Sequence, residues 1–160
     1  LANKEFKDVA AGFERVTGIC NWAYEHLDYL RGSTDASTSP TNGLVGGAGV
    51  CRDYAHLSIS LCRALGIPAR YVSGYAVDLD PPDFHGFFEA YLGGAWYLFD
   101  ATRMAPIDGL VRIAVGRDAA DVAFAVLVGV ATLDSIVIST IDLDRVDPNP
   151  TRTTAAISTA

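Results

Sequence analysis

Gly93-Gly94 is the feature that most restricts this chain. It separates two aromatic-rich runs, HGFFEAYL at 85–92 and AWYLFDAT at 95–102. Paired glycines accept positive φ at both central positions of a two-residue turn, so the runs predict a β-hairpin. Such a turn pairs Leu92 with Ala95, Tyr91 with Trp96, Phe87 with Asp100 and His85 with Thr102. Side chains alternate along a strand, so His85, Phe87, Glu89 and Tyr91 share a face with Trp96, Leu98, Asp100 and Thr102. His85 and Asp100 become diagonal neighbours about 7–8 Å apart at Cα, a gap an imidazole N–H can bridge to a carboxylate. A four-residue loop keeps this parity; a three-residue loop destroys it. Phe88, Ala90, Leu92, Tyr97 and Phe99 fall on the other face and read as core.

The chain ahead of this hairpin is helical in pattern. Val9, Phe13, Val16, Ile19, Ala23, Leu27 and Leu30 recur at steps of three or four over residues 8–30, as one buried helical face requires. Thr17-Gly18 offers a break, with Thr17 as a cap. Residues 33–49 are rich in Ser, Thr, Gly and Pro, and such long connections are usually functional or mobile. Ser39-Pro40 can start a short helix inside them. A second clear helix spans 51–65, buries Tyr54, Leu57, Leu61 and Leu65, and stops at Gly66-Ile67-Pro68. Further strands are expected at 69–77, 110–115, 124–131 and 136–143, with the apolar stretch 122–131 as a core strand. Helices first and antiparallel strands later make the fold class α+β.

Half of the 160 residues are hydrophobic and 19% are charged, which suits one domain with a real core. We place the domain at 1–146 and read 147–160 as a polar, frayed tail. The net charge of −7 argues against nucleic acid or an anionic membrane as partner. No run of 18 apolar residues suggests a membrane-spanning helix. The opening LANKEFKD lacks Met and has no apolar leader core, so the chain is expected to be the catalytic part of something longer. Three cysteines are too few for a disulfide scaffold. On one helix Cys51 and Cys62 stand about 16 Å apart, too far to bridge. This usage fits a reducing, cytoplasmic setting.

Cys51 follows Gly46-Gly47-Ala48-Gly49 at the start of a helix. The unpaired N–H groups there carry partial positive charge, stabilise a thiolate and can hold an oxyanion. The plainer alternative is a small buried apolar residue, which is how Cys20 and Cys62 read. Of three histidines, His26 reads as a surface residue. His56 stands five positions beyond Cys51, about 140° around the helix, and cannot easily turn back. His85 is left as the base, with Asp100 as its orienting carboxylate and Glu89 as a rival further along the strand. Arg52-Asp53 offers a charge pair to anchor the preceding loop, and Arg117-Asp118 reads as structural. The glycines of 43–49 lack the residues of a phosphate loop.

GVCRDYAHLSISLCRALGIPARYVSGY at 49–75, followed by HGFFEAYLGGAWYLFDATR at 85–103, resembles bacterial members of the transglutaminase-like superfamily. GRDAADV at 116–122 resembles a tail common in these proteins. The resemblance implies a papain-like α+β core, with Cys51 at a helix N-terminus and a Cys51, His85, Asp100 triad. It also implies a β-rich domain ahead of Leu1. Two departures stand out: His85-Gly86-Phe87 where members often read His-Ala-Trp, and Asp100-Ala101-Thr102 where they often read Asp-Pro-Thr. Phe87 keeps an aromatic surface in place of the Trp. Animal members use calcium, but Asp78, Asp80 and Asp83 do not form a calcium loop, since Pro81-Pro82 interrupt it. No metal or other cofactor is expected.

Trp22, Tyr75, Phe87 and Trp96 are the weaker candidates for lining a substrate cleft. The reading that results is a thiol-dependent acyl-transfer enzyme acting on a protein or peptide substrate. Hydrolysis is favoured over transamidation; the alternative is a catalytically silent interaction module.

Overall fold

The computed structural model describes residues 1–35, 37–132 and 134–143, together with the backbone of 157–158. Two helices cross the inner face of an antiparallel sheet. α1 (Ala2–Phe6) and α2 (Phe13–His26) open the chain. β1 (Asp28–Tyr29) pairs in parallel with β2 (Ala48–Gly49), on either side of α3 (Pro40–Gly46). α4 (Cys51–Ala64) leads into β3 (Ala69–Ala76), β4 (Phe84–Leu92), β5 (Ala95–Phe99) and β6 (Leu110–Gly116). With β7 (Ile157–Ser158) the sheet order is β6-β3-β4-β5-β7. This is the α+β architecture the segregated patterns predict.

The two-glycine turn sets the hairpin as expected. Gly93 and Gly94 take φ of 57° and 97°, and Leu92 pairs with Ala95, Tyr91 with Trp96 and Phe88 with Phe99. Phe88, Ala90, Leu92 and Phe99 join Val16, Ile19, Ala23, Leu57 and Leu61 in the main core between sheet and helices. The opposite face is not solvated. Val72, Phe87, Leu98 and Ile107 form a second buried cluster there. Beside them Glu89 is fully buried, held by Arg70 Nε and Arg112 Nη1 at 2.6 Å each. These two contacts tie β4 to β3 and β6.

Three expectations change. The stripe over 8–30 is a helix only from Phe13, which follows Gly12 at φ 90°. It runs unbroken through Thr17-Gly18 and ends at His26, so Leu30 is exposed instead of continuing the buried face. Residues 124–131 and 136–143 contain no strand among the described residues, and Val126, Val128, Val130 and Val137 are exposed. Apolar composition marks these segments as sticky but names no neighbour. β6 already covers the free side of β3, and β7 pairs with the free side of β5. The backbone of 157–158 thus lies in the sheet, opposite Leu98 and Tyr97; the rest of 144–160 lies outside the described residues.

Ser39 caps α3, its hydroxyl accepting the Asn42 N–H at 3.2 Å, as the Ser-Pro pair predicts. Glu89→Ala is expected to cost about 3 kcal/mol, because it strands two guanidinium groups beside an apolar cluster. Arg112→Ala, at the more exposed end of the network, should cost less. Urea unfolding midpoints of the two variants test this ranking.

Candidate active site

α4 begins where two constraints meet. The Asp53 carboxylate accepts the Val50 N–H at 2.8 Å, while its own N–H bonds the Val50 carbonyl at 2.8 Å, fixing the chain as it enters the helix. Asp53 also accepts the Thr34 hydroxyl at 2.6 Å and lies 3.4 Å from Arg52, which donates to Thr34 at 3.0 Å. Arg52-Asp53 therefore anchors the long connection, as its charge pairing suggests. Cys51, the first residue of α4, is half-buried, whereas Cys20 and Cys62 are fully buried. Burial pushes the Cys62 thiol up to about 12 and raises that of Cys20 well above its ordinary value.

His85 and Asp100 meet across the hairpin. His85 Nε2 lies 2.8 Å from Asp100 Oδ2, and both side chains are buried. The Thr102 N–H and hydroxyl donate to Asp100 Oδ1 at 2.9 and 2.8 Å. Burial works against a charged imidazole, yet the Asp100 carboxylate and the Cys51 sulfur outweigh it and push His85 up to about 10. Burial likewise works against the Asp100 anion, but His85 and Thr102 hold its carboxyl below the usual value. Nδ1 of His85 is buried without a hydrogen-bond partner and is the ring nitrogen left to face Cys51.

Cys51 opens on a cavity of about 720 Å³. Its walls include Tyr71, His56, Phe84 and Phe124, with Arg117 and Asp118 from the segment after β6. His56 does not turn toward Cys51, as its helical offset predicts. Its Nε2 accepts the Ala119 N–H at 3.1 Å and its ring packs on Tyr71 at 5.1 Å. Arg117-Asp118, read from the sequence as structural, lines the cavity, and Arg117 pairs with Asp121 at 3.0 Å. Tyr29 also interacts with Cys51: burial and the Cys51 sulfur raise this phenol's pKa, and a hydrogen bond from the Cys51 N–H works the other way.

The four weaker candidates do not line this cavity. Trp22 stacks on His26 at 3.9 Å and meets Phe6 edge-on. Tyr75 stacks on Phe84, one layer behind the wall. Phe87 is buried in the second cluster, and Trp96 carries the Arg70 guanidinium 4.0 Å above its ring. An aromatic side chain satisfies a core or a cleft equally well, so residue type alone does not separate the two. The wall residues Tyr71 and His56 come from β3 and α4, and no local pattern marks them. Among the described residues no three His, Cys, Asp or Glu side chains converge on a metal position.

The family model of the transglutaminase-like superfamily matches residues 2–101, and the chain belongs to that superfamily. A crystal structure from Cytophaga hutchinsonii, of a protein provisionally assigned as a cysteine protease, superposes with a TM-score of 0.89 at 47% identity. That match covers 97% of this chain and 54% of the other. An uncharacterised protein of Mycobacterium leprae is 37% identical over 120 residues, 68% of this chain and 42% of its own length. The chain thus spans about half the length of the relatives it matches. Calcium-bound LapG of Legionella pneumophila shares the fold, with a TM-score of 0.50 at 17% identity over 63% of this chain and 62% of its own.

The pair's charges set a pH dependence. His85 has a folded pKa above its ordinary 6.5, so its contribution is fully present below pH 6.5 and is lost as pH rises toward 10. Asp100, held low, contributes above its ordinary 3.8 and loses this as pH falls through its folded value. The wild-type chain should therefore unfold at lower urea at pH 9 than at pH 6, and His85→Asn should flatten that difference. An unchanged difference in the variant would remove His85 as its source.

Proposed function

We propose that Cys51, His85 and Asp100 act as a nucleophile, base and orienting carboxylate in thiol-dependent acyl transfer. The observation that carries this reading is the buried 2.8 Å contact between His85 and Asp100, with the other ring nitrogen left for a cysteine that faces a cavity. Membership of the superfamily, and the likeness to a provisional cysteine protease, support thiol-mediated chemistry in general.

In this mechanism His85 takes the Cys51 proton, and Asp100 stabilises the imidazolium and fixes the ring. The sulfur attacks a carboxamide or peptide carbonyl. The tetrahedral intermediate collapses as His85 returns the proton to the departing amine, leaving a thioester on Cys51. Water, activated by the now neutral His85, then releases the acid. The substrate is a protein or peptide, through a peptide bond or a glutamine side chain. Hydrolysis is favoured because transfer to an amine needs a site that excludes water, which is in large excess, and the cavity beside Cys51 has solvent-exposed Arg117 and Phe124 on its wall. No helix among the described residues is long and apolar enough to cross a membrane. The second reading, a silent interaction module, has no specific observation in its favour.

Two measurements test this. Iodoacetamide near pH 6 should label Cys51 well before Cys20 and Cys62, by peptide mass. Similar slow labelling of all three would remove the nucleophile. Glutamine-containing peptides should release ammonia or be cleaved by the wild-type chain but not by Cys51→Ala, and Asp100→Asn should lower kcat on the order of ten-thousandfold. Amine incorporation in place of hydrolysis would reverse the preference for water; no reaction across a varied peptide set would favour the interaction module.

A further inference from the structure

We propose that the segment after β6 makes this site selective for an acyl group that carries a bulky apolar side chain, received by Phe124 and Phe84. The inference rests on the thioester reading above and names the class of substrate it would take.

Residues 117–124 lie beyond the stretch 2–101 that the family model matches, so the wall they build is an addition to the core the model describes. They run back along α4 and are held at three points. Arg63 Nη2 donates to the Arg117 carbonyl at 2.7 Å. The Ala119 N–H donates to His56 Nε2 at 3.1 Å. Phe124 stacks on Phe84 with ring centroids 3.9 Å apart, and Phe84 immediately precedes His85. These contacts step from the far end of α4 toward the residues of the site, and Phe124 and Cys51 line one cavity.

Every charged side chain on that cavity wall already has a partner in this chain. Arg52 is held by Thr34 and Asp53, and Arg63 by the carbonyls of Ala69 and Arg117. Arg117 pairs with Asp121 and Asp83 with Arg31, while Asp118 accepts the Ala120 N–H. An acyl group with a charged end would have to displace one of these partners. The apolar surface is differently placed. Phe124 remains 39% exposed although its ring lies flat on Phe84, and Ile59 and Val122 continue the apolar lining. Aromatic surface left open in a concave site is surface that a ligand side chain can cover. The acyl group stays on Cys51 through both chemical steps, so it is the part of the substrate that a cavity opening from that sulfur holds throughout.

The test compares 4-nitrophenyl esters that share a leaving group. Acetyl presents a methyl group, 3-phenylpropanoyl carries the carbon skeleton of a phenylalanine residue, and 3-(4-carboxyphenyl)propanoyl adds a carboxylate to the same frame. In each, the Cys51 sulfur attacks the acyl carbon, its proton passes to His85, and 4-nitrophenolate leaves, with an acyl thioester formed on Cys51. Each single-turnover rate is divided by that of the same ester with free cysteine, which removes intrinsic reactivity. The normalised rate for 3-phenylpropanoyl should exceed that for acetyl by about tenfold, and Phe124→Ala should reduce this ratio to about two. The carboxylate ester should lose most of the advantage. Iodoacetamide labelling of Cys51, which transfers no acyl group, checks that fold and thiol survive in each variant. Ala123→Trp fills the cavity from an exposed wall position and should slow 3-phenylpropanoyl transfer more than acetyl transfer, so the outcome does not hang on one variant. A ratio near one in the wild-type chain, a preference for the carboxylate ester, or a wild-type ratio kept by both variants would overturn the proposal. Failure of the wild-type chain to acylate with any of the esters while iodoacetamide still labels Cys51 would instead overturn the thioester reading, and this inference with it.

Discussion

The buried contact between His85 and Asp100 is the constraint around which this site is organised. Two groups that each lose solvation on folding are tolerable only as partners. Their partnership requires that both point the same way from adjacent strands, and the Gly93-Gly94 turn enforces that parity. The Thr102 N–H donates to Asp100 Oδ1, and the Thr102 hydroxyl lies 2.8 and 3.0 Å from the two carboxylate oxygens, so Thr102 steadies the carboxylate whose Oδ2 meets the imidazole. Phe87 packs 5.9 Å from the His85 ring and keeps water from the pair, which strengthens the attraction that moves both groups from their ordinary titration ranges.

The same face of β4 carries a second buried charge, and the two answer the cost of burial differently. Asp100 is offset by one imidazole whose proton can move. Glu89 is offset by two guanidinium groups, which stay protonated across the accessible pH range. Only the first arrangement stores a transferable proton. This separates the two carboxylates that the sequence leaves as rivals: Glu89 is committed to Arg70 and Arg112 and serves the sheet, while Asp100 is committed to His85. The arginines come from β3 and β6, far along the chain from Glu89, so no local pattern could assign it.

What was legible in the sequence follows from how local each determinant is. The hairpin register depends on a two-residue turn and the residues flanking it; the pairs Leu92–Ala95 and Tyr91–Trp96 read correctly, while the ladder ends at Phe88–Phe99, short of the expected pairs Phe87–Asp100 and His85–Thr102. The start of α4 is marked by glycines on one side and a helical period on the other, and it also reads correctly. The expected strands at 124–131 and 136–143 rest on hydrophobicity alone, which does not say whether a sheet edge is free to receive them. α1 goes unread because two buried residues, Ala2 and Phe6, make no visible period. The cleft walls fail for a related reason. Aromatic type alone points to Trp22, Tyr75, Phe87 and Trp96, but whether a ring faces the cavity is set by pairing between β3 and β4 and by packing against α4. Those contacts join residues well apart in sequence.

Position 86 shows how one strand end serves two purposes at once. Alternation sends the His85 side chain toward Asp100 and leaves residue 86 under the first turn of α4. A side chain there competes for the space that the Tyr71 tip fills, since even a methyl group would overlap its oxygen. The choices at 71 and 86 are therefore coupled by volume: a tyrosine hydroxyl with glycine, or an alanine with a shorter or displaced ring. Phe87, next along, turns into the second cluster beside Val72 and Leu98, where a larger indole would have to displace packed neighbours. The departure from His-Ala-Trp leaves the contact between His85 and Asp100 intact, and the aromatic wall of the cavity comes from Tyr71 of β3, Phe84 of β4 and Phe124 instead of from position 87.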